Sequence, residues 1–110
     1  MTAKRVAQRE RARRDIDAAA EHYFAEGGAT LELRFITALA VAIRHVSKAP
    51  ATGSPRYASE LNLPGLRCWP LKRFPYLVFY VEREDSIDVW RVLHQARDMP
   101  AWLVERYDSP

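Results

Sequence analysis

Six consecutive residues, Tyr76-Leu77-Val78-Phe79-Tyr80-Val81, leave no polar face. A strand with one wet side alternates apolar with polar residues. A strand that is apolar on both sides belongs in the middle of a sheet. Pro75 opens this run, and Glu84-Asp85-Ser86 turns the chain after it. The next segment, Ile87 to His94, returns with a period of two. Ile87, Val89, Arg91 and Leu93 fall on one face, and Asp88, Trp90, Val92 and His94 on the other. Upstream, Leu66 to Leu71 reads as a shorter strand.

The first half of the chain has a different period. Ile16, Ala19, Ala20, Tyr23 and Phe24 recur at helical spacing, and Gly27-Gly28 ends that helix. Leu31, Phe35, Leu39, Ala42, Ile43 and Val46 form a second stripe; Thr30 is a candidate cap, and Pro50 stops the helix after Ser47. So short a joint predicts an antiparallel helical hairpin whose stripes cover the sheet. Lys4 to Arg9 reads as an edge strand joining that sheet, and "PAWLVERY" after Met99 as a short last helix. Lys48 to Gly65, rich in Pro and Gly, reads as a long loop inside one domain, because neither half alone could bury its apolar face. The expected fold is α+β, with two helices on one face of a small sheet, as a single domain over residues 1–110.

Composition narrows the classes. The chain has 110 residues, 48% hydrophobic and 28% charged, which suits one globular core. No apolar run approaches the ~20 residues of a membrane span. The basic N-terminus lacks the apolar core of a secretory signal, and Cys68 has no partner for an internal disulfide, so the cytoplasm is the expected location. A net charge of +3 and a pI near 9.3 fit an acidic partner, nucleic acid or protein.

Motifs for chemistry are sparse. His22, His45 and His94 lie in different elements without ligand spacing, so neither a metal nor a cofactor is expected. The glycines do not form a phosphate loop. Cys68 has no neighbouring His to activate it, and Glu82, Glu84, Asp85 and Asp88 read as solvated charge at a turn. Arg67, Lys72, Arg73, Arg91, His94 and Arg97 all fall on strands or their ends. With Trp69, Tyr76 and Trp90 they could form a cationic, aromatic surface for RNA. The rival reading is a solvated outer face with an Arg97-Asp98 pair, and residue types alone favour it. Strict alternation adds a difficulty, because Arg91 and His94 fall on opposite faces and converge only through a bulge.

Three segments together resemble the C-terminal half of ParE toxins of the RelE/ParE superfamily: Leu66-Arg67 with Trp69-Pro70, Phe74-Pro75-Tyr76 leading into the apolar strand, and Arg91-Val92-Leu93-His94 with Ala96-Arg97-Asp98. "ARRDIDAAAEHYFAEGG" and "ALAVAIRHVSKAPATGSPR" resemble the family's helical hairpin and loop. The resemblance implies a β-α-α-β-β-β fold with an antiparallel-rich sheet and a short C-terminal helix. It implies the toxin of a type II toxin–antitoxin system that stabilises a plasmid or chromosome. Such a toxin poisons DNA gyrase by trapping cleavage complexes, with no catalytic residues of its own. It also implies a ParD-like antitoxin, which alone contacts operator DNA.

The alternatives are a ribosome-dependent mRNA endonuclease of RelE type and an inactive toxin fold kept as an antitoxin-binding regulator. Candidate target contacts are Lys72, Arg73, Arg91, His94, Arg97 and Trp102. Candidate antitoxin contacts are Tyr23, Phe24, Leu31 and Phe35 on the hairpin.

Overall fold

The run without a polar face lies inside a four-stranded sheet. The computed structural model describes residues 3–96. Its elements are β1 (Arg5–Gln8), α1 (Glu10–Lys48), a 3₁₀ turn (Pro50–Thr52), α2 (Arg56–Leu61), β2 (Leu66–Pro70), β3 (Tyr76–Glu82) and β4 (Ser86–His94). The strand order is β1-β4-β3-β2. β3 runs antiparallel between β2 and β4, while β1 is parallel to β4, with Arg5 opposite Ser86 and Gln8 opposite Val89. The parallel pairing is possible because α1 carries the chain back across the sheet. The expected last helix, with Arg97 and Trp102, lies outside the described residues.

α1 is two arms rather than one rod. The backbone leaves helical geometry at Gly27 (φ −148°, ψ 17°) and Gly28 (φ 73°, ψ −164°). Gly28 occupies a positive-φ region that a side chain disfavours. A Cβ on Gly27 would sit 2.9 Å from Leu31 Cβ. The break folds residues 10–26 against residues 29–48, so that the Tyr23 and Phe35 rings meet at 5.2 Å. Ala12, Ala19 and Ala20 let the first arm approach closely, and Phe35, Leu39, Ala42 and Val46 fill the second arm's share of the core. They pack on Val78, Tyr80, Ile87, Val89 and Val92 of the sheet. Each large side chain removed from water there contributes roughly 1.5–3 kcal/mol.

Two features depart from the sequence reading. The segment expected as a loop contains the helix α2, which covers the sheet's other face. Tyr57 and Leu63 pack there with Leu66, Cys68, Phe79 and Val81. The sheet is therefore covered on both sides, which satisfies the double-sided β3. Second, β4 does not alternate throughout. Its register against β3 shifts between Phe79 and Tyr80, which face Arg91 and Val89 respectively. Trp90 is the extra residue of a bulge. Val89 and Val92, three residues apart, therefore both join the helix-side core, while Leu93 packs with the far-side cluster.

Candidate functional site

The turn between β2 and β3 displays two cations on a fixed base. Leu71 N–H donates to Tyr76 O at 3.0 Å and closes the loop. Lys72 and Arg73 are exposed. Arg73 takes a left-handed conformation (φ 69°), which costs a non-glycine residue roughly 1–2 kcal/mol. Phe74 turns inward and holds it there. Its ring lies edge-on to Tyr23 at 4.9 Å and to Phe35 at 5.5 Å, and Phe35 in turn meets Tyr76 at 5.4 Å. Four aromatic rings thus tie the cationic turn to both arms of the hairpin.

Beside this turn runs a groove of about 880 Å³ between the second arm of α1 and β2. Leu33, Thr37 and Val41 line its helical wall, and Trp69 and Phe74 its sheet wall. Leu33 is 64% exposed and Val41 46%, which is unusual for large apolar residues on a helix. Arg34, Lys72 and Arg73 also line the groove, so its apolar surface is set among cations, and His45 lies at its end. The His45 imidazole stacks on the Trp69 indole at 3.9 Å. Thr52 Oγ1 donates its proton to Ala49 O at 2.7 Å, so His45 Nε2 is the donor in the 2.8 Å contact with Thr52 Oγ1. This fixes the ring's orientation at one end of the groove.

The structure sorts the target-contact candidates. Lys72 and Arg73 share the turn. His94 lies at the same end of the sheet, because Gln95 N–H donates to Pro75 O at 2.7 Å. The His94 ring is half-buried against Tyr76 at 5.2 Å, and its Nδ1 accepts from Ala96 N–H at 3.1 Å. Arg91 is elsewhere. It is buried, and its Nε and Nη2 donate to the Asp15 carboxylate at 2.5 and 2.8 Å, while Val92 N–H donates to the same group at 3.0 Å. The bulge turns Arg91 toward α1, so it is a structural ion pair rather than a surface cation.

The antitoxin-contact candidates divide similarly. Leu31 lines the groove and Phe24 is 54% exposed. Tyr23 is partly buried in the aromatic cluster, and Phe35 is wholly buried, out of reach of a partner. Leu33, Thr37 and Val41, which form the helical wall of the groove, were not singled out by sequence; Trp69 was, but as part of an RNA-facing surface, and His45 only as a metal ligand to be set aside. A signal existed: Leu33, Thr37 and Val41 recur every four residues on the side opposite the core stripe.

Two further polar features are structural. Asp88 collects Arg9 at 3.1 and 2.9 Å, Arg83 at 2.9 Å and the Trp90 indole N–H at 3.2 Å. Burial pushes its carboxyl up, but the hydrogen bonds from Arg9, Arg83 and Trp90 together outweigh burial and hold it below the usual carboxylate range. The Arg9 guanidinium also lies 4.5 Å above the Trp90 ring. Burial raises the Cys68 thiol, partly opposed by Arg56, which leaves it a poor nucleophile at neutral pH. Among the described residues no helix is long and apolar enough to cross a membrane, and no group of three acidic, His or Cys residues could hold a metal.

Comparisons with known proteins agree on one family. A sequence profile of the ParE toxin of the type II toxin–antitoxin system parDE matches residues 6–99. No curated protein matches the sequence. Among solved structures, a chain of the chromosomal ParDE toxin–antitoxin system from P. aeruginosa is similar, with a TM-score of 0.70 and 19% identity. The match covers 84% of this chain and 96% of that one. At that identity the likeness speaks for the fold.

Proposed function

The chain belongs to the ParE toxin family of type II toxin–antitoxin systems, and on that premise we propose that it arrests growth by binding DNA gyrase. In this reading it holds the enzyme on cleaved DNA until a ParD-like antitoxin removes it. The observation that carries the antitoxin half is the groove, an apolar trough set among the cations Arg34, Lys72 and Arg73. Such a trough suits an amphipathic helix whose apolar stripe faces Leu33, Val41 and Trp69 and whose acidic residues meet Arg34, Lys72 and Arg73. Because Lys72 and Arg73 also belong to the target-facing turn, an occupied groove would cover them. Neutralisation is then steric and electrostatic competition for one surface.

On the target side, the turn acts by position and charge. Its cations are exposed, its backbone is pinned by Phe74, and His94 lies at the same end of the sheet. A rigid cationic projection can engage acidic protein surface or DNA phosphate without ordering itself on binding.

The test is a gyrase supercoiling assay with purified, antitoxin-free protein beside the variant Lys72→Glu/Arg73→Glu. The wild type should inhibit supercoiling and leave linear DNA from trapped cleavage complexes. The variant, folded by circular dichroism, should do neither. Undiminished inhibition by the variant would remove the turn from the mechanism. No inhibition by the folded wild type would remove gyrase as the target, and transcripts cut during translation would then favour the ribosome.

A further inference from the structure

The second arm of α1 has another groove on its opposite side, and β1 forms one of its walls. Val6 and Gln8 line it with Ile36, Ile43 and Arg44, around a volume of about 380 Å³. β1 is an edge strand, and its ladder geometry fixes which backbone groups are committed. Arg9 N–H donates to Val89 O at 3.0 Å, toward β4. Alternation along the strand then directs Arg5 and Ala7 toward β4, and Lys4, Val6 and Gln8 away from it.

Lys4 agrees with this assignment. Its N–H donates to Ser47 O at 3.0 Å, and its carbonyl accepts from Ser47 Oγ. The C-terminal end of α1 thus covers the first outward position. The N–H and C=O groups of Val6 and Gln8 remain as the open part of the edge. The other edge of the sheet is treated differently: Ser54 pairs with Cys68 of β2 through two 2.9 Å hydrogen bonds and closes it.

We propose that β1 is a second docking element, to which the antitoxin adds an extended, acidic segment as a fifth strand after its helix has filled the larger groove. The inference rests on the antitoxin reading above and deepens it. An exposed ridge joins the two grooves. Leu33 and Val41 line the first, and Ile36, 37% exposed, lines the second. One polypeptide crossing the second arm would cover both. A strand at β1 would bond to Val6 and Gln8 and drop alternate side chains onto Ile36 and Ile43.

Exposed Arg5 and Arg44 favour carboxylates on that strand. The same charges disfavour a second copy of this chain. Antiparallel pairing of two β1 strands would set Lys4 and Arg5 against the other copy's Gln8 and Arg9, cation near cation.

Hydrogen exchange of the full chain, read amide by amide by NMR, tests this. The probe is a purified ParD-type antitoxin, compared bound and absent. Val6 and Gln8 amides should exchange freely alone and slow about a hundredfold in the complex. Val6→Pro removes an outward N–H without touching the β4 ladder, and should weaken binding about tenfold. Arg44→Glu, on the surface, should weaken it a few-fold at low salt. Tight binding with fast Val6 and Gln8 exchange and an unchanged Val6→Pro affinity would overturn the strand while leaving the antitoxin reading intact. Protection that rises with protein concentration in the absence of the probe would overturn it in favour of self-pairing. No binding at all by the folded chain would overturn both readings.

Discussion

Replacing Asp15 by Ala would strike a carboxylate that ties the hairpin to the bulged strand. Asp15 accepts from Arg91 Nε at 2.5 Å, Arg91 Nη2 at 2.8 Å and Val92 N–H at 3.0 Å. The Arg91 and Asp15 side chains are 11% and 13% exposed, so water does little to screen or replace the pair. Removing one partner of such a pair leaves a buried charge uncompensated, at a cost of about 3–5 kcal/mol. That is a large part of the ~5–15 kcal/mol that holds a domain folded. For a domain of this size the loss lowers Tm by about 15–30 °C.

The double variant Asp15→Leu/Arg91→Met separates charge from packing. It removes both charges and keeps the volume apolar, which in other buried pairs is neutral or stabilising. Here the Val92 N–H still loses its acceptor, a penalty of about 1–3 kcal/mol. The double variant should therefore lie above Asp15→Ala and within about 2 kcal/mol of the wild type. Urea titrations with unchanged slope give both numbers. A loss below 1 kcal/mol for Asp15→Ala would refute the buried-pair account. Growth arrest supplies a second reading: a structural Arg91 predicts that the folded double variant remains toxic.

Two other perturbations follow from the geometry. The Asp88 carboxyl is held below its ordinary range, so its contribution is present above about pH 4 and is lost as pH falls through the lower, folded-state value. Asp88→Asn should lower stability at neutral pH and flatten the acid limb of a stability–pH curve below about pH 4, checked by urea titration at successive pH values. Gly53→Ala would set a Cβ 2.1 Å from Tyr80 Oη, whose hydroxyl donates to Pro50 O at 2.6 Å. Tyr80 is fully buried and cannot yield; overpacking should cost about 1–3 kcal/mol or more, visible as a lower thermal midpoint.

The elements legible in the sequence were those whose signal is local. Tyr76 to Val81 has no polar face, Gly27-Gly28 marks the break in α1, and the apolar stripes on either side of it state which faces are covered. The N-terminal edge strand was legible only because a sheet was already required. Three features were not legible for reasons that are tertiary. The bulge at Trp90 depends on the register of β3, which no period in β4 reveals, and it decides that Arg91 meets Asp15. α2 is six residues long, too short for a stripe, and its flanking Pro and Gly outweigh it as local signals. The groove is read from an absence of cover over Leu33 and Val41, and cover is a property of the assembled chain. The cationic turn stood out because two charges between prolines contrast with the strand they precede. Its rigidity comes chiefly from the inward Phe74, whose partners Tyr23 and Phe35 lie far upstream.

The parallel pairing of β1 with β4 bears on the order in which the fold can close during synthesis. Arg5 is synthesised early and its neighbour Ser86 late. β4 also stands between β1 and β3, so until it emerges from the ribosome the sheet has no centre and the hairpin has no complete floor. The most non-local contact in the fold therefore closes last. A prematurely terminated product lacking β4 is left without that interior strand, with its apolar residues open to proteases. On the function proposed above, growth arrest requires a sheet with β4 in place, and an antitoxin would meet the supported groove only after β4 has joined β1 and β3.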